Sequence, residues 1–95
     1  MSGACFNDLI HAPNRLQICA LLAPVKSLEF STLREQLSVS DSVLSKHIKS
    51  LEAAGYVAVN KKNSHGRQRT WLMLSPQGRK AFVGHVEALK EIVGK

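Results

Sequence analysis

The apolar residues at the start of the chain follow two helical patterns that a proline separates. Phe6, Leu9 and Ile10 recur at helical spacing and predict a short first helix. Pro13 interrupts that pattern and suits the first turn of a new helix, where its missing N–H costs no hydrogen bond. The stretch from Pro13 to about Ala23 is apolar on nearly every side, so we expect this second helix to lie in the centre of the core.

Two further helices are predicted in the middle of the chain. Ser31 is suited to cap a short helix, and Ser40 is suited to cap a longer one, Asp41–Ala54. Gly55 supplies the left-handed residue that ends the longer helix. Because only three residues separate the two helices, the segment of about 31–54 is a candidate helix-turn-helix.

Extended structure is expected in three places. The composition is that of β-strands in Leu28–Phe30, Tyr56–Val59 and Arg69–Leu74. Lys61–Gly66, between the second and third of these, has the composition of a turn and carries basic residues. The segment of about 56–74 is therefore predicted to form a hairpin with a basic tip.

The last predicted helix, about 76–93, opens with a Ser-Pro pair and carries a narrow apolar seam. The seam residues are spaced by four, three and four positions, which is close to the coiled-coil pattern. A short domain has little remaining core to cover such a seam, so we expect a homodimer built on this helix and joined by the first helix. The alternative that remains open is that the seam packs back onto its own chain. The expected interface residues are Phe6, Leu9, Ile10, Phe82, Val86, Leu89 and Val93.

Together these elements predict a mainly α fold with a small β-hairpin (α+β), in one domain that spans 1–95. No repeat or linker divides the chain, and its 95 residues leave no room for a separate ligand-binding domain. The longest apolar stretch is far short of the roughly 20 residues that cross a bilayer, and the first residues lack the pattern of an export signal. We therefore expect a cytoplasmic protein with no membrane partner.

The net charge of +6 is concentrated in one part of the chain. Residues 1–40 balance three basic against three acidic side chains, whereas residues 41–70 carry six basic and only two acidic ones. A concentrated basic patch on a small domain is typical of proteins that bind a polyanion. The charge pattern therefore points to the helix 41–54 and the hairpin as the candidate binding region.

The helix 41–54 has one apolar face and one polar face. Leu44, Ile48 and Leu51 lie on one stripe, which we assign to the core. The opposite face presents hydroxyls and long cations, whose donors suit base edges and phosphates. The basic hairpin follows directly, so both sets of residues would act on one ligand. The candidate contacts are Ser42, Ser45, Lys46 and Lys49 on the helix and Lys61, Lys62, Arg67 and Arg69 on the hairpin.

Four stretches of the sequence resemble one family. Leu44–Val57 is similar to the recognition-helix signature of winged helix-turn-helix regulators of the MarR and ArsR type. Arg69–Trp71 and Leu74–Arg79 are similar to the strand-to-helix junction of the MarR-like group. His11–Arg15 is similar to the opening of these domains, so the resemblance covers nearly the whole chain.

This resemblance implies a dimeric repressor or activator that binds a double-stranded DNA operator. The helix 41–54 would enter the major groove, and the hairpin would be the wing, which reaches phosphates or the minor groove. His47 lies at the edge of the apolar stripe, where packing and a hydrogen bond to a phosphate are both open. The operator and any small-molecule effector stay unspecified. The alternative function is a winged-helix module that binds protein and not DNA, and such a module would lack the salt-dependent duplex binding that phosphate contacts produce.

Metal, cofactor and catalytic sites are not expected. Cys5 and Cys19 have the spacing of neither a disulfide framework nor a zinc knuckle, and we expect both to be reduced thiols, with a redox role for Cys5 left open. His85 and Glu87 are two positions apart, which turns them about 200° from each other on a helix and prevents them from sharing an ion. No Gly-rich phosphate loop or nucleophile elbow is present, so we do not expect an enzyme.

Overall fold

The computed structural model describes residues 3–94, which contain five helices and a three-stranded antiparallel sheet. The helices are α1 (Asp8–His11), α2 (Pro13–Leu22), α3 (Phe30–Leu37), α4 (Asp41–Ala53) and α5 (Pro76–Val93). The strands are β1 (Leu28–Glu29), β2 (Val57–Ser64) and β3 (Arg67–Leu74), with β3 in the middle of the sheet. The mainly α fold with a small β-hairpin that the sequence predicts is confirmed.

The longer helices begin and end where their capping residues place them. The Ser40 hydroxyl accepts a hydrogen bond from the Val43 N–H at the start of α4, and the Ser75 hydroxyl accepts one from the Gly78 N–H at the start of α5. Each such cap contributes about 1 kcal/mol to stability. Gly55, with φ +82°, follows α4 in the left-handed region that favours glycine.

The start of α3 differs from the sequence prediction. The helix begins at Phe30, its N-cap is Glu29, and no side chain caps it, so the assignment of Ser31 as the N-cap was wrong. The physical reason is that Leu28 and Glu29 pair with β3, and the chain passes from the strand directly into the helix. The expected strand therefore ends one residue earlier, at Glu29.

The β2–β3 hairpin has longer strands and a shorter turn than the sequence predicts. β2 and β3 pair in continuous register from Val57 with Leu74 to Ser64 with Arg67, so that only His65 and Gly66 form the turn. Both turn residues have positive φ, +52° and +78°, as a type I′ hairpin turn requires. The predicted turn over 61–66 was therefore wrong for its first four residues, because cross-strand pairing extends the strands through a polar stretch.

The core lies among α2, α3, α4 and the sheet. The fully buried side chains include Ile10, Ile18, Cys19, Leu22, Leu33, Leu44, Leu51 and Leu72. Burial raises the pKa of the Cys19 thiol to about 11, so Cys19 acts as a small apolar residue. Ile10 belongs to this core and has no exposed surface, so its assignment to a dimer interface was wrong.

The helix α5 packs against the body through small residues and one histidine. Gly78 contacts the backbone of Tyr56 so closely that a Cβ there would lie 2.1 Å from the Tyr56 carbonyl oxygen. Farther along, Gly84, His85 and Ala88 are buried. Residues 5–11, called here the N-terminal segment, lie against this part of α5. None of the helices within residues 3–94 is both long enough and apolar enough to span a membrane.

Candidate nucleic-acid interface

The helix α4 has the two faces that the sequence predicts. Leu44 and Leu51 are fully buried and Ile48 is 5 % exposed, so this stripe fixes the helix on the core. The predicted contact residues lie away from that stripe: Ser42, Lys46 and Lys49 are exposed, and Ser45 is half-buried. The helix thus presents two lysine side chains to solvent on a rigid support.

Two polar contacts hold the first turn of α4. The Ser40 and Ser42 hydroxyl oxygens lie 3.2 Å apart, so Ser42 is linked to the residue that caps the helix. The Arg34 Nε of α3 lies 2.8 Å from the Asp41 carboxylate. Exposed ion pairs contribute at most about 1 kcal/mol, so this contact links α3 to the start of α4 but adds little to stability. Sequence reasoning missed Arg34, because charge counts give no sign of the pairing.

The wing, β2 and β3 with their turn, places its two lysines on opposite faces. Lys61 pairs with Thr70 and faces α4, whereas Lys62 pairs with Arg69 on the other face. Lys61 lines a groove of about 550 Å³ between α4 and the wing, together with Ser45 and Lys49. Three of the predicted contact residues therefore meet in one groove.

The same groove contains two acidic side chains. Asp41 and Glu52 line it beside Lys49 and Lys61. Asp41 forms a surface ion pair with Arg34, and both carboxylates oppose an anionic ligand in the groove. The other exposed cations of α4 and the wing, which are Lys46, Lys62 and Arg67, lie outside the residues that line this groove.

Arg69 is engaged within the protein. Its Nη1 donates to both carboxylate oxygens of Glu29, at 3.1 and 3.0 Å, and ties the wing to β1. The side chains are 36 % and 19 % exposed, so the pair is partly shielded from water. Arg67, nearer the tip, is exposed. Glu29 comes near Arg69 because Glu29 pairs with Trp71 in the two-residue strand β1. Sequence reasoning missed Glu29, since so short a strand does not reveal this pairing.

His47 lies on the edge of α4 that faces α2. Its Nδ1 is 3.4 Å from the Arg15 guanidinium and its Nε2 is 3.5 Å from the Asn14 amide. Burial lowers the pKa of His47 below 6.5, and the positive charges of Arg15 and Lys46 lower it further. His47 is therefore neutral at neutral pH and contacts the second helix.

The apolar seam of α5 lies beside its buried face. Phe82 packs against the core, Val86 and Leu89 are half-buried, and Val93 is 78 % exposed. In the N-terminal segment, Leu9 is half-buried and Phe6 is 44 % exposed. Sequence reasoning missed two further exposed apolar residues of α5, which are Val83 and Ile92, at 54 % and 65 % exposed.

The remaining candidate groups do not gather into a metal site. Within residues 3–94, no three His, Cys, Asp or Glu side chains lie close enough together to hold an ion. His85 is buried and contacts His11, while Cys5 is exposed as a free thiol.

Comparison with known proteins identifies the fold's family. The family model described as a winged helix DNA-binding domain matches residues 14–93. The chain belongs to this family. Within it, α3 and α4 are the helix-turn-helix and the β2–β3 hairpin is the wing, so the resemblance to MarR-like winged-helix regulators is confirmed. A winged helix DNA-binding domain is a binding module, which favours a function other than catalysis.

Several known proteins are similar to most of this chain. MJ0432, an uncharacterized protein of Methanocaldococcus jannaschii, is 32% identical over 87 residues, which cover 92% of this chain and 90% of that protein. The structure of a transcriptional regulator homologue from Pyrococcus horikoshii OT3 matches with a TM-score of 0.86 and 27% identity, over 90% of this chain and 85% of the other. NadR, solved in complex with 4-hydroxyphenylacetate, matches with a TM-score of 0.76 and 27% identity, over 93% of this chain and 62% of NadR.

Proposed function

We propose that the protein is a transcriptional regulator that binds specific sequences in double-stranded DNA as a homodimer. The observation that carries this proposal is the groove between α4 and the wing, where Lys49 and Lys61 approach a common space in a winged helix DNA-binding domain. Phosphate contacts position such a protein on the duplex, and contacts to base edges determine its sequence preference.

In this proposal α4 enters the major groove. Lys46 and Lys49 supply donors that suit guanine or phosphate oxygens, and the Ser42 and Ser45 hydroxyls donate to or accept from base edges. Ser45 lies deepest of the four, beside the wing, and Ser42 lies at the start of the helix.

The wing follows the DNA backbone next to α4. Lys61, Lys62 and Arg67 are exposed, and we assign them to phosphates or to the minor groove. Arg69 differs from them, because Glu29 neutralises its charge. We therefore assign Arg69 mainly to holding the wing at its angle to β1, and only secondarily to the DNA.

The dimer is proposed to form through α5 and the N-terminal segment. Gly84, His85 and Ala88 pack α5 onto its own chain, so the seam is only partly used within one protomer. We assign to the interface the residues Phe6, Leu9, Phe82, Val86, Leu89 and Val93, together with the exposed Val83 and Ile92. A two-fold dimer would place two α4 helices about 34 Å apart, or a multiple of that distance, to meet successive turns of the duplex.

Alanine variants of the two exposed lysines of α4 test the assignment. We expect Lys46→Ala and Lys49→Ala to weaken DNA binding without lowering the melting temperature. A lysine on a phosphate also contributes about 0.9 to the slope of log affinity against log salt concentration. Lys80→Ala, an exposed lysine of α5 outside the groove, is the matched control because it removes the same charge.

Three results of this comparison would contradict the proposal. If both α4 variants bind like Lys80→Ala, this face of α4 does not contact DNA. If wild type binds duplexes with no salt dependence, phosphates are not contacted. If wild type binds no duplex at all, the protein-binding alternative replaces the DNA-binding one.

A further inference from the structure

A pair of histidines joins the N-terminal segment to α5. His85 is fully buried, and its Nε2 lies 3.1 Å from Nδ1 of His11. The Phe6 ring lies against both, with its centroid 4.8 Å from that of His11 and 4.7 Å from that of His85. The proposed DNA interface uses none of these three side chains.

The hydrogen bonds assign the protons of the pair. The Asn7 backbone N–H donates to Nδ1 of His85 at 2.9 Å, so this nitrogen carries no proton. In the neutral ring the proton is therefore on Nε2, which donates to Nδ1 of His11. Both hydrogen bonds, Asn7 N–H to His85 Nδ1 and His85 Nε2–H to His11 Nδ1, require that Nδ1 of the accepting ring carries no proton. A proton on His85 Nδ1 would face the Asn7 N–H, and a proton on His11 Nδ1 would face the His85 N–H.

Asn7 connects this pair to the rest of the segment. Its side-chain oxygen caps α1 by accepting from the Ile10 N–H at 2.9 Å, and its side-chain nitrogen donates to the Tyr56 hydroxyl at 3.0 Å. One other backbone bond, from the Cys5 N–H to the Gly84 carbonyl at 2.9 Å, joins the segment to α5. The backbone bonds of Cys5 and Asn7 thus hold residues 5–7 on α5. The helix α1 is held separately, because the Leu9 carbonyl accepts from the Arg15 side chain and Ile10 is buried in the core.

The surroundings of His85 oppose a proton on its ring. Burial lowers the pKa of His85 below 6.5, and His11 lowers it further. The Asp8 carboxylate of α1 acts in the opposite direction and raises that pKa. The Tyr56 hydroxyl, just before β2, accepts from the Asn7 side chain, which connects it to the pair.

We infer that the His11–His85 pair is a proton-sensitive attachment, which holds residues 5–7 on α5 at neutral pH and releases them in acid, while Ile10 keeps α1 on the core. Release would expose the part of α5 around Gly84 and His85 and would move Phe6 away from it. Phe6 belongs to the proposed dimer surface, so on that proposed function acid would also weaken the dimer. The attachment itself needs neither DNA nor a second copy, and its test is therefore independent.

Hydrogen exchange of single amides in the full chain tests the attachment. The Cys5 and Asn7 N–H groups report its opening, and the Leu51 N–H in α4 reports unfolding of the core. After correction for the intrinsic exchange rate, we expect opening at Cys5 and Asn7 to increase as the pH falls below 6.5, by at most about tenfold per pH unit, because the opened form binds one more proton at His85. Leu51 is expected to stay protected over the same range.

Two variants and one spectrum separate this mechanism from general acid unfolding. His85→Asn keeps an oxygen that can accept from the Asn7 N–H but cannot titrate, so the pH dependence should disappear. His65→Asn is the matched control, because His65 lies at the wing tip with φ +52°, a conformation that asparagine adopts readily. The histidine ring nitrogen spectrum of wild type at pH 7.5 should show His85 with its proton on Nε2, and this needs no variant.

The inference is overturned by any of four results. These are a His85 proton on Nδ1 at neutral pH, protection at Asn7 that is unchanged down to pH 5, loss of Asn7 and Leu51 protection together, and a folded His85→Asn variant with the wild-type pH profile.

Discussion

The two wing arginines are expected to respond differently to the same substitution. Arg67 is exposed, whereas Arg69 donates to both oxygens of Glu29. If charge alone decided their roles, Arg67→Ala and Arg69→Ala would each flatten the salt dependence of DNA binding by about one unit. The structure leads to another expectation: Arg67→Ala lowers the slope by about 0.9, and Arg69→Ala changes it much less because the Arg69 guanidinium is bonded to Glu29 and is not free to contact a phosphate.

The loss for Arg69→Ala should appear in stability. The Arg69 and Glu29 side chains are 36 % and 19 % exposed, so their pair is neither fully exposed nor fully buried. A surface ion pair contributes at most about 1 kcal/mol to stability, and a buried hydrogen bond to a charged group contributes about 1.5–3 kcal/mol. We therefore expect a loss of about 1 kcal/mol, which is about 4–8 °C in melting temperature for a domain of this size. Arg67→Ala should leave the melting temperature unchanged.

A third variant makes the comparison sharper. Glu29→Gln keeps the shape of the partner but removes its charge, so it frees the Arg69 cation. Its salt dependence should be steeper than that of wild type. Fluorescence anisotropy with one labelled duplex over a range of salt concentrations, with a melting curve for each variant, measures both quantities. The assignment fails if Arg69→Ala flattens the slope like Arg67→Ala without loss of stability, or if Glu29→Gln leaves the slope unchanged.

Three further predictions concern the dimer, the start of α5 and the effect of pH. Leu89→Glu and Val93→Glu should each give monomers in light scattering. Val93 is 78 % exposed within one chain, so its substitution should not disturb the core. If both variants remain dimers, α5 does not form the interface. Gly78→Ala should cost several kcal/mol in chemical denaturation, since its Cβ would lie 2.1 Å from the Tyr56 carbonyl oxygen, and an unchanged midpoint would contradict the close contact. Burial lowers the pKa of His47 below 6.5, so the contribution of His47 to stability is present above pH 6.5 and is lost as the pH falls through the lowered pKa. His47→Gln should therefore reduce the pH dependence of the free energy of unfolding. A variant with the same pH profile as wild type would contradict this expectation.

Local signals predicted the helices well because their ends depend on residues close in sequence. Ser40 and Ser75 cap helices through hydroxyl bonds that span three residues, and Gly55 ends α4 through its own φ. The apolar stripe of α4 was predictable for the same reason, since helical periodicity alone places its side chains. The exposed lysine face follows from that stripe.

The features that the sequence did not reveal depend on contacts between distant residues. Arg69 and Glu29 are 40 positions apart, and only the register of a two-residue strand brings them together. Asn7 and His85 are 78 positions apart and meet only when the N-terminal segment folds onto α5. Ile10 shares its helical spacing with Phe6, which is 44 % exposed, and Leu9, which is half-buried, so periodicity could not show that Ile10 alone enters the core.

Selection of bound sequences from random DNA duplexes tests whether the wild-type protein binds specific DNA as a two-fold dimer. We expect strong enrichment of an inverted repeat whose half-site centres lie about 10–10.5 base pairs apart, or a multiple of that spacing, because two α4 helices of a two-fold dimer would enter successive major grooves. Recovery of no common sequence, or of a single unrepeated site bound by one protomer, would contradict it.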